Sequence, residues 1–292
     1  MKTPRSHERI VLTGMGIVSP LGHDIESVWK AILAGRSGTA RTTIFDASTF
    51  PTTFSAEVKD YDFRRYVQHP SRHDQCSRSS GFVIGATVQA CRQAGIDVES
   101  QAPADHIDRT RMGIYLGAGE GSLDSDAFFA GILAAWNAER DEFAWPHANR
   151  IVQEQMQAAH ELEQEPNMAV AHIARLTGAR GPARSCLTAC AASTQAVGEA
   201  MMLLRRGQAD VMIAGGAHSM IHILGLTGFN RLTALSTRND SPETASRPFC
   251  ASRDGFVLGE GAAIVVLESL TSARKRGATI LAELIGYGSS SD

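Results

Sequence analysis

The spacing of apolar residues alternates between the strand period and the helix period from one end of the chain to the other. Residues 9–18 are rich in β-branched and apolar side chains and run into a Pro20-Leu21-Gly22 turn, so they read as a first strand. After the turn, Asp24 is placed to cap a helix whose apolar positions Ile25, Val28, Trp29, Ile32 and Leu33 recur at helical spacing, with Gly35 at its end. A long helix is predicted over 74–94, closed by Gly95, and a strand over 111–116 that enters the glycine-rich loop 117–121. A further helix is expected from about 123 to 136, a loop at Trp145-Pro146, and an interrupted helical stretch over 150–176 that breaks near Pro166. Gly178, Gly181 and Pro182 then lead through a short strand to a helix over about 190–206, with Ala191, Val197, Met201 and Leu204 suited to burial and Gly207 at its end. The run D-V-M-I-A-G-G at 210–216 is continuously apolar, as in strands covered on both faces, and 256–268 and 279–287 read as two more strands. The pattern is that of an α/β protein.

One stretch stands out chemically. Gly181-Pro182-Ala183-Arg184-Ser185-Cys186-Leu187-Thr188-Ala189-Cys190 places a cysteine where a strand turns into a helix. Unpaired N–H groups and the positive end of the helix dipole favour thiolate over thiol there, and the same N–H groups can hold an oxyanion. Small neighbours, Ala189, Ala191, Ala192 and Ser193, leave room for a bulky acyl thioester. By position alone, a buried structural cysteine is the competing reading. The loop 117–121 follows a strand but has no Lys-Ser/Thr after it and misses the dinucleotide spacing, so close backbone packing is its expected use. The long irregular segments at 234–240 and 245–254 have the length of functional loops.

Composition narrows the class. Hydrophobic residues make up 43% and charged residues 20% of 292 residues, the balance of an ordinary soluble globular protein. The net charge of −3 and the absence of a long basic run argue against a nucleic-acid partner. No apolar run approaches the roughly 20 residues that span a bilayer, and the N-terminus lacks a signal-peptide core. Five cysteines, odd in number and without metal-ligand spacing, fit a reducing cytoplasm and no metal site, and Cys186 and Cys190 are one residue too far apart for a C-x-x-C redox pair.

With those residues in view, the chain resembles the β-ketoacyl-acyl-carrier-protein synthases, in particular the elongating condensing enzymes of the thiolase-like superfamily. The resemblance rests on V-L-T-G-M-G-I-V-S-P-L-G at 11–22, G-P-A-R-S-C-L-T-A-C-A-A-S at 181–193, D-V-M-I-A-G-G at 210–216, L-S-T-R-N-D at 235–240, S-R-P-F at 246–249 and R-D-G-F-V-L-G-E-G-A at 253–262. It implies a layered α-β-α-β-α sandwich with mixed sheets, of which this chain carries the N-terminal half and the start of the C-terminal half. The implied division is a synthase N-terminal domain over 8–270, followed by the start of a second half over 271–292. It also implies Cys190 as nucleophile in a decarboxylating Claisen condensation, Phe229 in the wall of the acyl pocket, and a homodimer.

The resemblance further implies an acidic acyl carrier protein as partner, met by basic residues for which Arg72, Arg78 and Arg231 are the candidates. No cofactor is implied beyond the phosphopantetheine arm of that carrier. The family's two decarboxylation histidines and lysine have no match among the ten histidines and the lysines here, and His218 and His222 are expected to pack or face solvent. The chain therefore looks like the N-terminal part of such an enzyme, with an apolar face expected where a second half would sit. A polyketide-type ketosynthase, a chain-length-factor-like partner subunit and a thiolase are the alternatives; a retained Cys190 argues against the second, and the L-S-T-R-N-D and S-R-P-F segments fit the third less well.

Overall fold

In a computed structural model that describes residues 8–100, 104–119 and 125–291, six strands form one mixed sheet. They are β1 (Ile10–Val18), β4 (Met112–Ala118), β7 (Ala183–Cys186), β8 (Val211–His218), β9 (Gly261–Ser269) and β10 (Ala282–Leu284), in the order β10-β1-β9-β8-β4-β7. β8, β4 and β7 run parallel, whereas β9 is antiparallel to both β8 and β1, and β10 is antiparallel to β1. Two short ribbons lie outside it, β2 (Ala40–Arg41) with β3 (Phe54–Ser55), and β5 (Trp136–Asn137) with β6 (Glu142–Phe143). The helices are α1 (Ile25–Leu33), α2 (Arg78–Ala94), α3 (Ser125–Ala135), α4 (Trp145–Gln155), α5 (Ala158–Leu162), α6 (Met168–Thr177), α7 (Ala192–Arg205), α8 (Ile223–Arg231) and α9 (Leu270–Lys275).

Side-chain parity sorts the sheet into two cores. Val211 and Ile213 of β8, with Ile264 and Val266 of β9, point to one face, where Phe82 and Ile84 of α2 and Ile173 of α6 cover them. Met212 and Ala214 point to the other, against Ala196, Ala200, Met201 and Leu204 of α7. The described residues thus build helix, sheet and helix layers, the first three of the expected sandwich. On the α7 side, the layer is incomplete: Met15, Ile17, Trp29, Ile32 and Val265 line an apolar groove of about 270 Å³ between α1 and the sheet. Residues after 270 join this same body, since β10 extends the sheet and Tyr287 lies against Gly198 of α7.

Most predicted elements occur, with shifts at their ends. Asp24 caps α1 by accepting from the Ser27 N–H, and Gly95 closes α2 in the left-handed conformation. The long helix begins at Arg78 rather than 74, because Pro70–His73 forms a separate 3₁₀ turn and Ser77 supplies the cap. Trp145-Pro146 opens α4 instead of forming a loop; proline in a first turn sacrifices no hydrogen bond. The stretch 150–176 holds three helices, not one interrupted helix. The strand expected from 256 begins at Gly261, since Phe256 and Gly259 make isolated bridges to Leu235 and Ala56 first. Glu120, Gly121 and Leu123, the end of the glycine-rich loop and the expected start of α3, lie outside the described residues.

Two buried carboxylates fasten this framework. The Glu260 side chain has no solvent exposure and accepts from Val58 N–H at 2.8 Å, Ser219 Oγ at 2.6 Å, and Arg78 Nε and Nη2 at 2.7 and 2.5 Å. Arg78 Nη2 also donates to the Val58 carbonyl. The start of α2, the chain after β3 and the segments next to β8 and β9 are thereby tied at one point. Glu268 of β9 plays the same part at the far end, accepting from Thr13 Oγ1 at 2.5 Å and pairing with Arg276. Replacing Arg78 with methionine leaves a desolvated carboxylate without its cation, an expected loss of about 2–4 kcal/mol that a fall in the urea unfolding midpoint measures. An unchanged midpoint means that Glu260 is satisfied without Arg78.

Candidate active site

The three parallel strands end on the same edge of the sheet, and the start of α7 rests directly on them. Gly117 of β4 pairs in register with Gly216 of β8 and with Cys186 of β7. A methyl group on Gly117 would lie 2.3 Å from the Ala192 carbonyl carbon and 2.4 Å from the Ser193 nitrogen, and one on Gly216 would lie 2.9 Å from the Ser193 Cβ. Only glycine lets the helix backbone come this close. This is the close-packing role expected for the glycine-rich segment, realised at Gly117.

Between β7 and α7 the chain makes a tight corner. Cys186 Sγ donates to the Ala192 carbonyl at 3.2 Å, and Thr188 Oγ1 donates to Gln195 Oε1 at 2.8 Å, tying both sides of the corner together. Ala189 takes a left-handed conformation at φ 48°, costly for a residue with a Cβ. Cys190 follows in a 3₁₀ turn, Ala189–Ala191, and is exposed, which removes the buried-structural reading. Ala191 occupies the cap position of α7 without a side-chain cap. The amides of the first helical turn therefore have no side-chain acceptor, as an oxyanion-binding corner requires.

The other thiols sit in different surroundings. Burial pushes Cys76 and Cys91 up to about 12, and raises Cys186 less far. Cys250 moves the opposite way, lowered by hydrogen bonds from Ser252 and by Arg247 nearby. The sequence gave no hint of this last effect, because Ser252 and Arg247 are brought to the sulfur by the turn they share.

The remaining candidates are scattered. Phe229 is half-buried on α8, edge-to-face with Phe256 at 5.4 Å between centroids, and packs with Ala47, Ile221, Leu226, Leu235 and Leu258. Arg72 is exposed at the end of the 3₁₀ turn before α2. Arg231 is exposed at the end of α8, beside a small cleft of about 210 Å³ formed with Thr49, Phe50 and Pro51. Arg78 is committed to Glu260. His222 caps α8 by accepting the Gly225 N–H, and the His218 ring lies against Gly119. Sequence reasoning missed Glu260, although it stands in the quoted R-D-G-F-V-L-G-E-G-A segment, and a buried Glu163, His172 and His73 group. Their partners are 9 to 202 residues away in the chain, beyond any local pattern.

A mixed sheet whose parallel strands end beneath an exposed cysteine at a helix start defines a cysteine-nucleophile scaffold. The chain belongs to the β-ketoacyl synthase family: the model for "Beta-ketoacyl synthase, N-terminal domain" matches residues 7–273. It is 39% identical over 285 residues to 3-oxoacyl-[acyl-carrier-protein] synthase 2 of Coxiella burnetii, covering 97% of this chain and 63% of that one. Against the enzyme of the same name from Vibrio harveyi the identity is 37% over 288 residues, covering 98% and 64%. Among solved structures, a β-ketoacyl synthase from Burkholderia phymatum superposes with a TM-score of 0.78 at 29% identity, covering 94% of this chain and 62% of that one. A type II polyketide acyl-carrier protein in complex with its ketosynthase, AntDE:AntF, superposes with a TM-score of 0.73 at 28% identity, covering 95% and 62%. The chain spans less than two thirds of the length of the curated relatives it matches.

Exposure and surroundings fix the order of thiol reactivity. Brief iodoacetamide treatment at neutral pH followed by peptide mass mapping is expected to label Cys190 and Cys250 and to spare Cys76 and Cys91. Labelling of Cys91 ahead of Cys190 would contradict the geometry.

Proposed function

We propose that this chain carries the acyl-accepting part of an elongating 3-oxoacyl-[acyl-carrier-protein] synthase. The observation that carries the reading is the exposed Cys190 at the uncapped start of α7. The Cys190 thiolate attacks the carbonyl of an acyl thioester, the first-turn amides bind the oxyanion, and the carrier's phosphopantetheine thiolate leaves with the electron pair of the broken C–S bond. A malonyl thioester then loses carbon dioxide, its carbanion attacks the acyl-Cys190 carbonyl, and the new C–C bond forms as the Cys190 thiolate is released. Holding the acyl group covalently keeps the electrophile in place while the carbanion forms. The histidines and lysine that the resemblance assigns to decarboxylation have no match in this sequence, so the residues here account for acyl transfer.

The partner in this reading is an acidic acyl carrier protein, supported by the carrier complex among the structural neighbours. Arg72 and Arg231 are the basic residues placed to meet it, and Arg78 acts behind the surface through Glu260. Phe229 lines the acyl pocket from α8. A homodimer is supported by β7, an edge strand hydrogen-bonded on one side to β4, with Ala183 and Arg184 exposed. Five free thiols suit the cytoplasm, and no helix among the described residues is long and apolar enough to cross a membrane. A polyketide-type role is the second reading, because structural neighbours include the ishigamide ketosynthase/chain length factor at a TM-score of 0.77 and 30% identity.

Incubation with a saturated acyl-carrier thioester and intact-mass measurement tests the reading. One acyl group is expected on the wild-type chain, and Cys190→Ala should reduce acylation by at least ~1,000-fold. Undiminished acylation of the Cys190→Ala chain would overturn it, and acylation by polyketide intermediates alone would favour the second reading.

A further inference from the structure

Far in sequence from Cys190, a run of buried titratable side chains crosses from the segment after α5 to the turn before α2. His172 Nε2 lies 2.9 Å from Glu163 Oε1, and His172 Nδ1 lies 2.9 Å from His73 Nδ1. Glu163 Oε2 accepts from the Ser77 N–H at 2.9 Å and from Ser80 Oγ at 3.4 Å. Glu163, His172 and His73 are 5%, 6% and 1% exposed, so no solvent is at hand to rescue a mismatched proton. The run ends at His73 Nε2, which is shut off from solvent and has no hydrogen-bond partner among the described residues.

These contacts determine where the protons sit. Burial works against the Glu163 charge, yet the bonds from His172, Ser77 and Ser80 outweigh it and hold the carboxyl below its ordinary range. An ionised Glu163 only accepts, so His172 carries its proton on Nε2. Its Nδ1 is then an acceptor, His73 carries its proton on Nδ1, and His73 Nε2 is left as a bare lone pair. Any proton added to His73 creates a buried N–H with nothing to receive it.

The same turn is held by other ties. Arg175 of α6 donates to the Arg72 carbonyl at 2.6 Å, and Glu99 accepts from the Gln68 and His69 N–H groups. The charged and titratable groups facing His73 are His172 and Arg175 from α6, Glu99 from the segment after α2, and Arg72 from its own turn; the Phe63 ring meets it edge-on. Burial, then His172 and the two arginines, push His73 down to about 4, with Glu99 opposing.

We propose that Glu163, His172 and His73 form an acid-sensitive latch: with both imidazoles neutral it pins the Pro70–His73 turn to α2 and α6, and protonation of His73 releases that turn. The sign follows from linkage. A histidine whose folded-state pKa lies below its unfolded value of 6.5 contributes stability that is complete above pH 6.5 and is lost as the pH falls toward 4. Arg72 rides on this turn, so a contact made through Arg72 inherits the same pH dependence.

Amide hydrogen exchange on the full chain, corrected for intrinsic rates, tests the latch in peptides covering residues 68–77. Protection there is expected to fall at least ~10-fold more than in β4 and β8 between pH 7 and pH 4.5, and His73→Leu should remove that difference. A parallel loss in all three segments, or an unchanged pH dependence in His73→Leu, overturns the proposal. Should His73→Leu fail to fold, NMR titration of the wild-type imidazoles decides: the latch requires His73 to stay neutral at pH 5.5, and a midpoint near 6.5 overturns it.

Discussion

The arrangement depends on two missing methyl groups. Gly117 and Gly216 sit side by side at the ends of β4 and β8, and the backbone at Ala192 and Ser193 descends onto them to within distances that no Cβ allows. Lifting the helix to clear a side chain would open the corner from Cys186 to Ala192. It would then unfasten the sulfur-to-carbonyl contact across that corner and relax Ala189 out of its left-handed conformation. The presentation of Cys190 is therefore a property of the sheet edge as much as of its own segment. Strain at Ala189 persists because both sides of the corner are anchored, β7 by its ladder to β4 and α7 by its buried face on β8.

Anchoring at the sheet edge would not suffice if the flanking layers could slide. Two buried carboxylates oppose sliding, Glu260 between α2, β8 and the chain after β3, and Glu268 between β1, β9 and Arg276 after α9. A buried ion pair is a poor source of net stability, since desolvation cancels most of its attraction. Its value here is directional: each carboxylate accepts from donors on separate elements, and any displacement leaves a charge without partners. Arg78 illustrates the distinction between a surface arginine and a structural one. Read as a sequence it belongs with Arg72 as a carrier contact; in the fold its guanidinium is turned inward.

Much of this was legible beforehand, and the reasons for success and failure are physical. The parity of β8, the cap at Asp24 and the glycine that closes α2 are local, so a window of a few residues contains the cause. Cys190 was legible because its strand-to-helix corner is written in small residues next to it. What stayed hidden were groups whose meaning is set by a partner far along the chain: Glu260 with Val58 and Arg78, and His73 with His172. Proline at 146 misled for a different cause, since the same residue that breaks a helix interior is harmless at its first turn, and only the position of the helix start distinguishes the two.

Chemistry rather than size distinguishes the two ends of the sheet. At the end opposite Cys190, a cleft of about 620 Å³ is lined by His106, Asp108, Arg111, Asp210, Lys275 and Arg276. It is roomier than the cleft beside Arg231, yet its principal charges are already matched. Arg111 forms a two-pronged pair with Asp210, and Arg276 is held by Glu268. Opening either pair for a ligand would trade one charge-assisted contact for another and loosen β4 from β8 or α9 from β9. The Cys190 end carries the reverse arrangement, with exposed sulfur, an uncapped helix start and small neighbouring side chains. Its polar groups are unspent, and in parallel α/β sheets the carboxyl ends of the strands are where such groups converge on a ligand.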